Sequence, residues 1–240
     1  MLSAFRLGGG LMTSSSSQKT AEAGSFLREK EQADVIKRIE EDIIFGRFAP
    51  GSRLIEDTLM TRYCASRHSV RQGLFQLERN GIVLREKNVG ATVRFYSSDE
   101  VRQIYEVREM LTRQAVLIIS LPASDTLIGE LTTLQERYCS YADRGDLRGI
   151  HDANDAFHLA LFSACGNPYL VESLQNYMNL TLPMRAKNLA DREGLQISRR
   201  QHETMIELLK GRDSWALAQL CVEHMQYSKS DYLNRIAGDK

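Results

Sequence analysis

The sequence has no cysteine pair at C-x-x-C spacing; Cys64, Cys139, Cys165 and Cys221 lie far apart. That spacing offers neither a thiolate zinc site nor a disulfide framework, and four reduced thiols fit a reducing compartment, the cytoplasm. Long apolar runs are missing too. The longest, Val116 to Leu121, is far short of the ~20 residues a membrane helix needs. No signal peptide is expected, because the apolar N-terminal stretch is interrupted by Gly8-Gly9-Gly10 and followed by Ser14 to Ser17. Residues 1–30 read as a disordered tail, with Met12 a second candidate start. Net charge is absent as well: 31 basic residues balance 31 acidic ones.

The balance hides an asymmetry. From Gly46 to Phe95 nine Arg or Lys stand against four acids; from Tyr96 onward there are 16 basic against 20 acidic residues. Such a division is expected when only the first part meets phosphate. The 240 residues, 42% hydrophobic and 26% charged, fit one large or two modest globular domains.

Helical spacing of Val35, Ile36, Ile39 and Ile43 predicts a helix over 34–45, stopped by Gly46. A Pro50-Gly51 turn follows, then a short helix from Glu56 to Tyr63 with Leu59 inside. Ser66 is a suitable N-cap for a third helix carrying Val70, Leu74 and Leu77, which Asn80-Gly81 closes. The period then changes to two. Residues 82–86 and 91–95, joined by Lys87-Asn88-Val89-Gly90, predict a β-hairpin. Three helices and a hairpin in this order predict a winged helix-turn-helix.

On the third helix Arg67, His68, Arg71 and Gln72 lie away from the apolar stripe. A major groove admits a helix, and arginine can donate two hydrogen bonds to guanine. Ser66 and Ser69 are short donors suited to phosphate. Lys87 and Gly90 at the hairpin tip suit a wing along a minor groove. The competing reading is a solvated basic face on a structural helix.

From Asp99 onward only helical spacing appears, with breaks at Leu121-Pro122, Gly145, Gly166-Asn167-Pro168, Gly194 and Gly211. About six helices in an antiparallel bundle are predicted, an architecture that builds ligand and metal sites from facing helices. Asn154 and His158 share one helix face; His202 and His224 lie in two later segments. Three imidazoles and one amide or carboxylate oxygen could hold a divalent metal such as zinc, nickel or manganese with open positions. The alternative is three unrelated structural histidines.

The run Phe48-x-Pro50-Gly51-x-x-Leu54-x-Glu56, then Ser66-Arg67-His68-Ser69-Val70-Arg71, Leu77-Glu78-x-x-Gly81-Ile82-Val83 and Gly90-Ala91-x-Val93, resembles the GntR family of bacterial regulators. The later run Asn154-x-x-Phe157-His158-x-x-Leu161-Phe162, Gly166-Asn167, Arg200-x-His202 and His224 resembles the FCD ligand-binding domain of its FadR-type branch. The resemblance implies operator contacts from Ser66, Arg67, Arg71 and Gly90. It also implies a metal held by His158, His202 and His224, with Asn154 where the family has Asp. An uncharged amide there weakens the metal site. Asp155 should point elsewhere on a regular helix. The resemblance further implies a small organic-acid effector, with Arg108 and Asn167 as its contacts, a homodimer and a palindromic operator. A surface salt bridge to Glu106 or Glu109 is the other expectation for Arg108. Departures are Cys64-Ala65 for Gly-Val, His68-Ser69 for Thr-Pro, Gln72-Gly73 for Glu-Ala, Asp57 for a DNA-contacting arginine and Thr112 for a glutamate.

The expected organisation is a tail (1–30), a winged domain (31–95), a linker running into the first bundle helix (96–103) and an effector domain (104–237). The expected function is a ligand-responsive regulator that represses, without membrane association and not an enzyme. A metal-dependent hydrolase and an effector-independent structural DNA binder are the alternatives.

Overall fold

The computed structural model describes residues 33–86, 90–185 and 191–238. Helix α1 spans 33–44 and buries Val35, Ile39 and Ile43 of the expected stripe; Ile36 is only partly buried, and Ile44 is buried as well. Strand β1 (Arg53–Leu54) precedes α2 (Glu56–Tyr63) and α3 (Arg67–Arg79). Strands β2 (Val83–Glu86) and β3 (Gly90–Val93) form the expected antiparallel hairpin, with Val83 opposite Val93 and Glu86 opposite Gly90. Strand β1, too short for a sequence period, adds to the far side of β3 and gives the order β1-β3-β2.

Ser66 caps α3 as its sequence position suggests, accepting from Ser69 N. Val70, Leu74 and Leu77 pack into a core with α1, α2 and the sheet. Gly73 faces α1, with Ile36 Cγ1 3.5 Å from where a Cβ would stand, an ordinary contact that leaves room for alanine. An acid in the Glu40-Glu41-Asp42 run is also part of this packing. Asp42 is buried and accepts from Tyr63 Oη (2.7 Å), Arg62 Nε (2.5 Å) and Arg47 Nη1 (2.6 Å), tying α1 to α2.

The remainder is helical: α4 (Ser98–Leu117), α5 (Asp125–Arg144), α6 (Leu147–Ser163), α7 (Pro168–Leu180), α8 (Leu182–Arg185), α9 (Arg192–Lys210) and α10 (Ser214–Gly238). That makes seven helices among the described residues where about six were expected; the extra one is the single turn α8. Ser97 and Glu100 form a reciprocal capping box at the start of α4. Gly194 is not a break. It lies in the first turn of α9, buried under Tyr227, where a Cβ would stand 2.8 Å from the ring.

Residue contacts link the helical part to the winged part. Leu182 of α8 is buried in the winged core, beside residues such as Leu77 and Val83. Tyr96, fully buried, donates to Gly81 O (2.7 Å) and packs with Tyr232 of α10. Arg148 of α6 pairs with Glu40 (3.4 Å) and Glu41 (3.7 Å) of α1.

Candidate metal centre and nucleic-acid interface

On α3 the side chains of Arg67, His68, Arg71 and Gln72 are exposed, opposite the buried stripe. This arrangement leaves one face for packing and one for a groove. Two details differ from expectation. Ser69 is buried, with its hydroxyl 2.8 Å from that of Ser66, so it braces the start of α3 instead of facing phosphate. The arginines are also engaged. Arg67 Nη2 donates to Asp57 Oδ1 at 2.6 Å, and Glu56 lies 3.6 Å from Arg67 and 3.7 Å from Arg71. Gly90 opens β3 at φ +98, a conformation that side chains disfavour. Lys87 lies outside the described residues, as does the expected tail.

In the bundle, α6, α9 and α10 bring His158, His202 and His224 together, with one donor atom of each within 4.8 Å of the others. His158 Nε2 is 3.1 Å from His224 Nε2 and 3.4 Å from His202 Nε2. Outer partners set the tautomers. Gln135 donates through Nε2 to Arg199 O (3.1 Å), which turns its Oε1 to His202 Nδ1 at 2.9 Å. Gln201 Oε1 stands 2.8 Å from His224 Nδ1. An amide oxygen only accepts, so both Nδ1 atoms carry protons and both Nε2 atoms present lone pairs.

Two lone pairs thus converge on His158 Nε2, and one proton there could bridge to only one of them. A cation satisfies all three. Nitrogens bound at ~2.1 Å around one metal lie about 3.0–3.4 Å apart, the spacing of His158 Nε2 from each of the other two, and the set within 4.8 Å can hold a divalent ion. Burial and neighbouring positive groups keep the imidazoles neutral, the form that ligates: His158 and His202 titrate well below the ordinary value and His224 is pushed down to about 3.

Asn154, one turn before His158, lines the same cavity. Its Nδ2 donates to Asp155 Oδ1 (3.3 Å), so Oδ1 is the atom it can offer a cation. Asp155 points elsewhere. It receives two hydrogen bonds from Arg185, at 2.6 and 3.3 Å. Burial alone would raise its carboxyl, but Arg185 and His151 hold it at about 2.

Arg108 is no surface residue. It is buried on α4, and it donates to Thr181 Oγ1 at 2.9 Å. Its Nε has no partner among the described residues. Burial, with Arg185 nearby, pushes the guanidinium down to about 10. Thr112, where the family glutamate is expected, is buried against Met225 Sδ and supplies no counter-charge. Asn167 is not brought here. Its side chain caps α7 by accepting from Leu170 N (3.2 Å), and it borders a separate surface groove with Leu159 and Val171. The reason is local: Asn167-Pro168 is a helix start, and capping uses the side chain.

Sequence reasoning misses Arg185, His151, Gln135 and Gln201. Arg185 had one signal, a charge directly after the apolar Leu182-Pro183-Met184. The glutamines had none, because residues that hydrogen-bond the far nitrogen of a ligand histidine obey no spacing in sequence.

A model of the family "Bacterial regulatory proteins, gntR family" matches residues 31–93, and the FCD domain model matches residues 103–227, more than half of the chain. Among curated proteins, the HTH-type transcriptional repressor GlaR of Escherichia coli is 24% identical over 205 residues, covering 80% of this chain and 91% of its own. The Nta operon transcriptional regulator of Aminobacter aminovorans is 23% identical over 193 residues, covering 80% and 89%. Among solved structures, E. coli McbR/YncC superposes with a TM-score of 0.69 at 20% identity, over 86% of this chain and 98% of that one, a likeness of fold. The chain is a member of the GntR family of bacterial DNA-binding transcription regulators, in the group that carries an FCD domain.

Proposed function

We propose that this regulator is a homodimeric repressor whose winged domain (31–95) binds a palindromic operator. A small organic acid, taken up in the helical domain (104–237), releases it. The segment 96–103 joins the two and includes the first turns of α4. The observation that carries the reading is the buried Arg108, paired with a hydroxyl and lining one cavity with His158 and His224. A buried guanidinium whose hydrogen-bond partner among the described residues is a hydroxyl is a site for a carboxylate, since carboxylates accept two parallel hydrogen bonds from arginine. The cavity measures about 50 Å³, which admits roughly four water-sized groups and so favours a short acid.

His158, His202 and His224, with Asn154 Oδ1 as a fourth donor, would hold zinc, nickel or manganese there. A bound metal would supply open positions for the acid's oxygens. All four donors are neutral and two guanidiniums lie close by, so metal and anion should bind more tightly together than apart. The anion offsets the charge that Asn154 leaves uncompensated.

On the DNA side Ser66, Arg67, His68, Arg71, Gly90 and Lys87 are the proposed contacts. Dimers read half-sites about one helical turn apart, so a small change in the separation of two α3 helices weakens binding. A hydrolase is the weaker reading. Asp155, the acid beside Asn154, is committed to Arg185 and is not a free general base. The cytoplasm is the compartment in which such a regulator meets DNA.

The test uses a duplex selected by the purified protein from a randomised library. Arg71→Ala should abolish binding to it while leaving the melting profile intact. Unchanged affinity would remove α3 from the interface. Elemental analysis of unchelated protein should find metal in the wild type and none in the His202→Ala, His224→Ala double variant. Equal metal in both would rule out these ligands.

A further inference from the structure

The described cations of the proposed groove-facing surface on α3 are Arg67 and Arg71, and α2 meets each with an acid. Asp57 Oδ1 accepts from Arg67 Nη2 at 2.6 Å, and Glu56 approaches both arginines. The Asp57 and Arg67 side chains are exposed, 73% and 56%, so burial does not require the pair. Asp57 stands in the first turn of α2, with its carboxylate on the surface that α3 would present to DNA. Two positive charges against two negative ones leave this face close to neutral.

Resting on the reading that α3 enters the groove, we infer that Asp57 is a specificity-determining residue of the DNA interface. It occupies Arg67 whenever the groove offers only phosphate. Non-specific affinity comes from arginine and lysine displacing counterions from phosphates, and an arginine already neutralised contributes little to it. A guanine edge offers Arg67 two fixed acceptors, O6 and N7, in place of the carboxylate. Phosphate offers no such gain in geometry, and it brings its own charge close to that of Asp57. The exchange therefore occurs on the matching sequence and is suppressed elsewhere. The pair is solvent-exposed and thus weak enough to exchange.

The experiment compares wild type with Asp57→Asn and Asp57→Ala, on a random-sequence duplex and on the duplex selected by the wild type. Binding is followed by fluorescence anisotropy over a series of salt concentrations. Both variants should bind the random duplex more tightly, with a salt slope steeper by about one unit. The ratio of selected to random affinity should fall roughly tenfold. Asp34→Asn on α1, where Asp34 pairs with Arg38 at 3.7 Å, changes net charge equally away from the pair and should leave slope and ratio as in wild type. Wild-type slope and ratio in both Asp57 variants would overturn the inference, as would an equal effect of Asp34→Asn. If instead Arg71→Ala binds the selected duplex normally, it is the groove assignment of α3 that fails, and this inference with it.

Discussion

Cys64 ends α2 at φ 52, in the left-handed region, where a side chain costs roughly 1–2 kcal/mol. The family resemblance puts glycine at this position, and the backbone gives the reason. Cys64→Gly relieves that strain but widens the unfolded ensemble, a penalty of about 0.5–1 kcal/mol. A net gain of about 0.5–1 kcal/mol in denaturant unfolding is therefore expected; a loss would mean that the position is not strained. Asp42 illustrates the opposite case, a residue whose role no local pattern announced. In sequence it is the last of three acids; its partners Arg62 and Tyr63 lie 20 and 21 residues away. Burial would raise its pKa, but the hydrogen bonds from Arg62, Tyr63 and Arg47 outweigh this and hold it below the ordinary value of 3.8. A depressed carboxyl stabilises the fold above its unfolded pKa and loses that contribution as pH falls below about 4. Asp42→Asn should thus cost about 1–3 kcal/mol at pH 7 and markedly less at pH 3, measured by urea unfolding at both. An equal cost at the two pH values would contradict the ionic role. At this scale the sequence shows which residues are apolar and periodic. It does not show which of several acids is buried.

Among elements, the longer helices were legible because each carries several turns of one period, and α3 falls where its spacing and its Ser66 cap put it; the short α2 also matches its expected bounds, though no side chain caps it. The two-residue β1 and one-turn α8 were not, since neither is long enough to show a period. Yet α8 joins the two sites. Thr181, at its start, takes a hydrogen bond from Arg108; Arg185, at its end, holds Asp155; between them Leu182 is buried in the winged core. An acid that drew on Arg108, as proposed, would alter the partner of Thr181, and the next residue would carry the change into the DNA-binding unit. That is a contiguous link between distinct sites, and its test is energetic coupling. Leu182→Ala should cost about 2–4 kcal/mol through the cavity left in the winged core. It should leave acid binding within about threefold of wild type while the acid's effect on DNA affinity shrinks. Calorimetry for the acid and anisotropy for the DNA separate the two; an undiminished effect would rule out α8 as the link.

For the whole molecule, the division of charge at Tyr96 and the change from period two to helical spacing indicated two functional parts. The structure adds how closely they are bound, through Leu182, Tyr96 and the Arg148–Glu40–Glu41 cluster. The histidine cluster was legible by residue type once the resemblance had aligned its members, and the structure brings all three to one point. The positive side of the cavity was half legible: Arg108 by resemblance, Arg185 only through the fold. The account depends on that cavity controlling the DNA face. The most direct measurement is the affinity of the metal-supplemented protein for its selected duplex, with and without a panel of short carboxylic acids, in wild type and in Arg108→Met. At least one acid should weaken DNA binding about tenfold or more in the wild type and leave the variant unaffected. An acid response that survives in Arg108→Met, or no response to any acid in the wild type, would contradict the account.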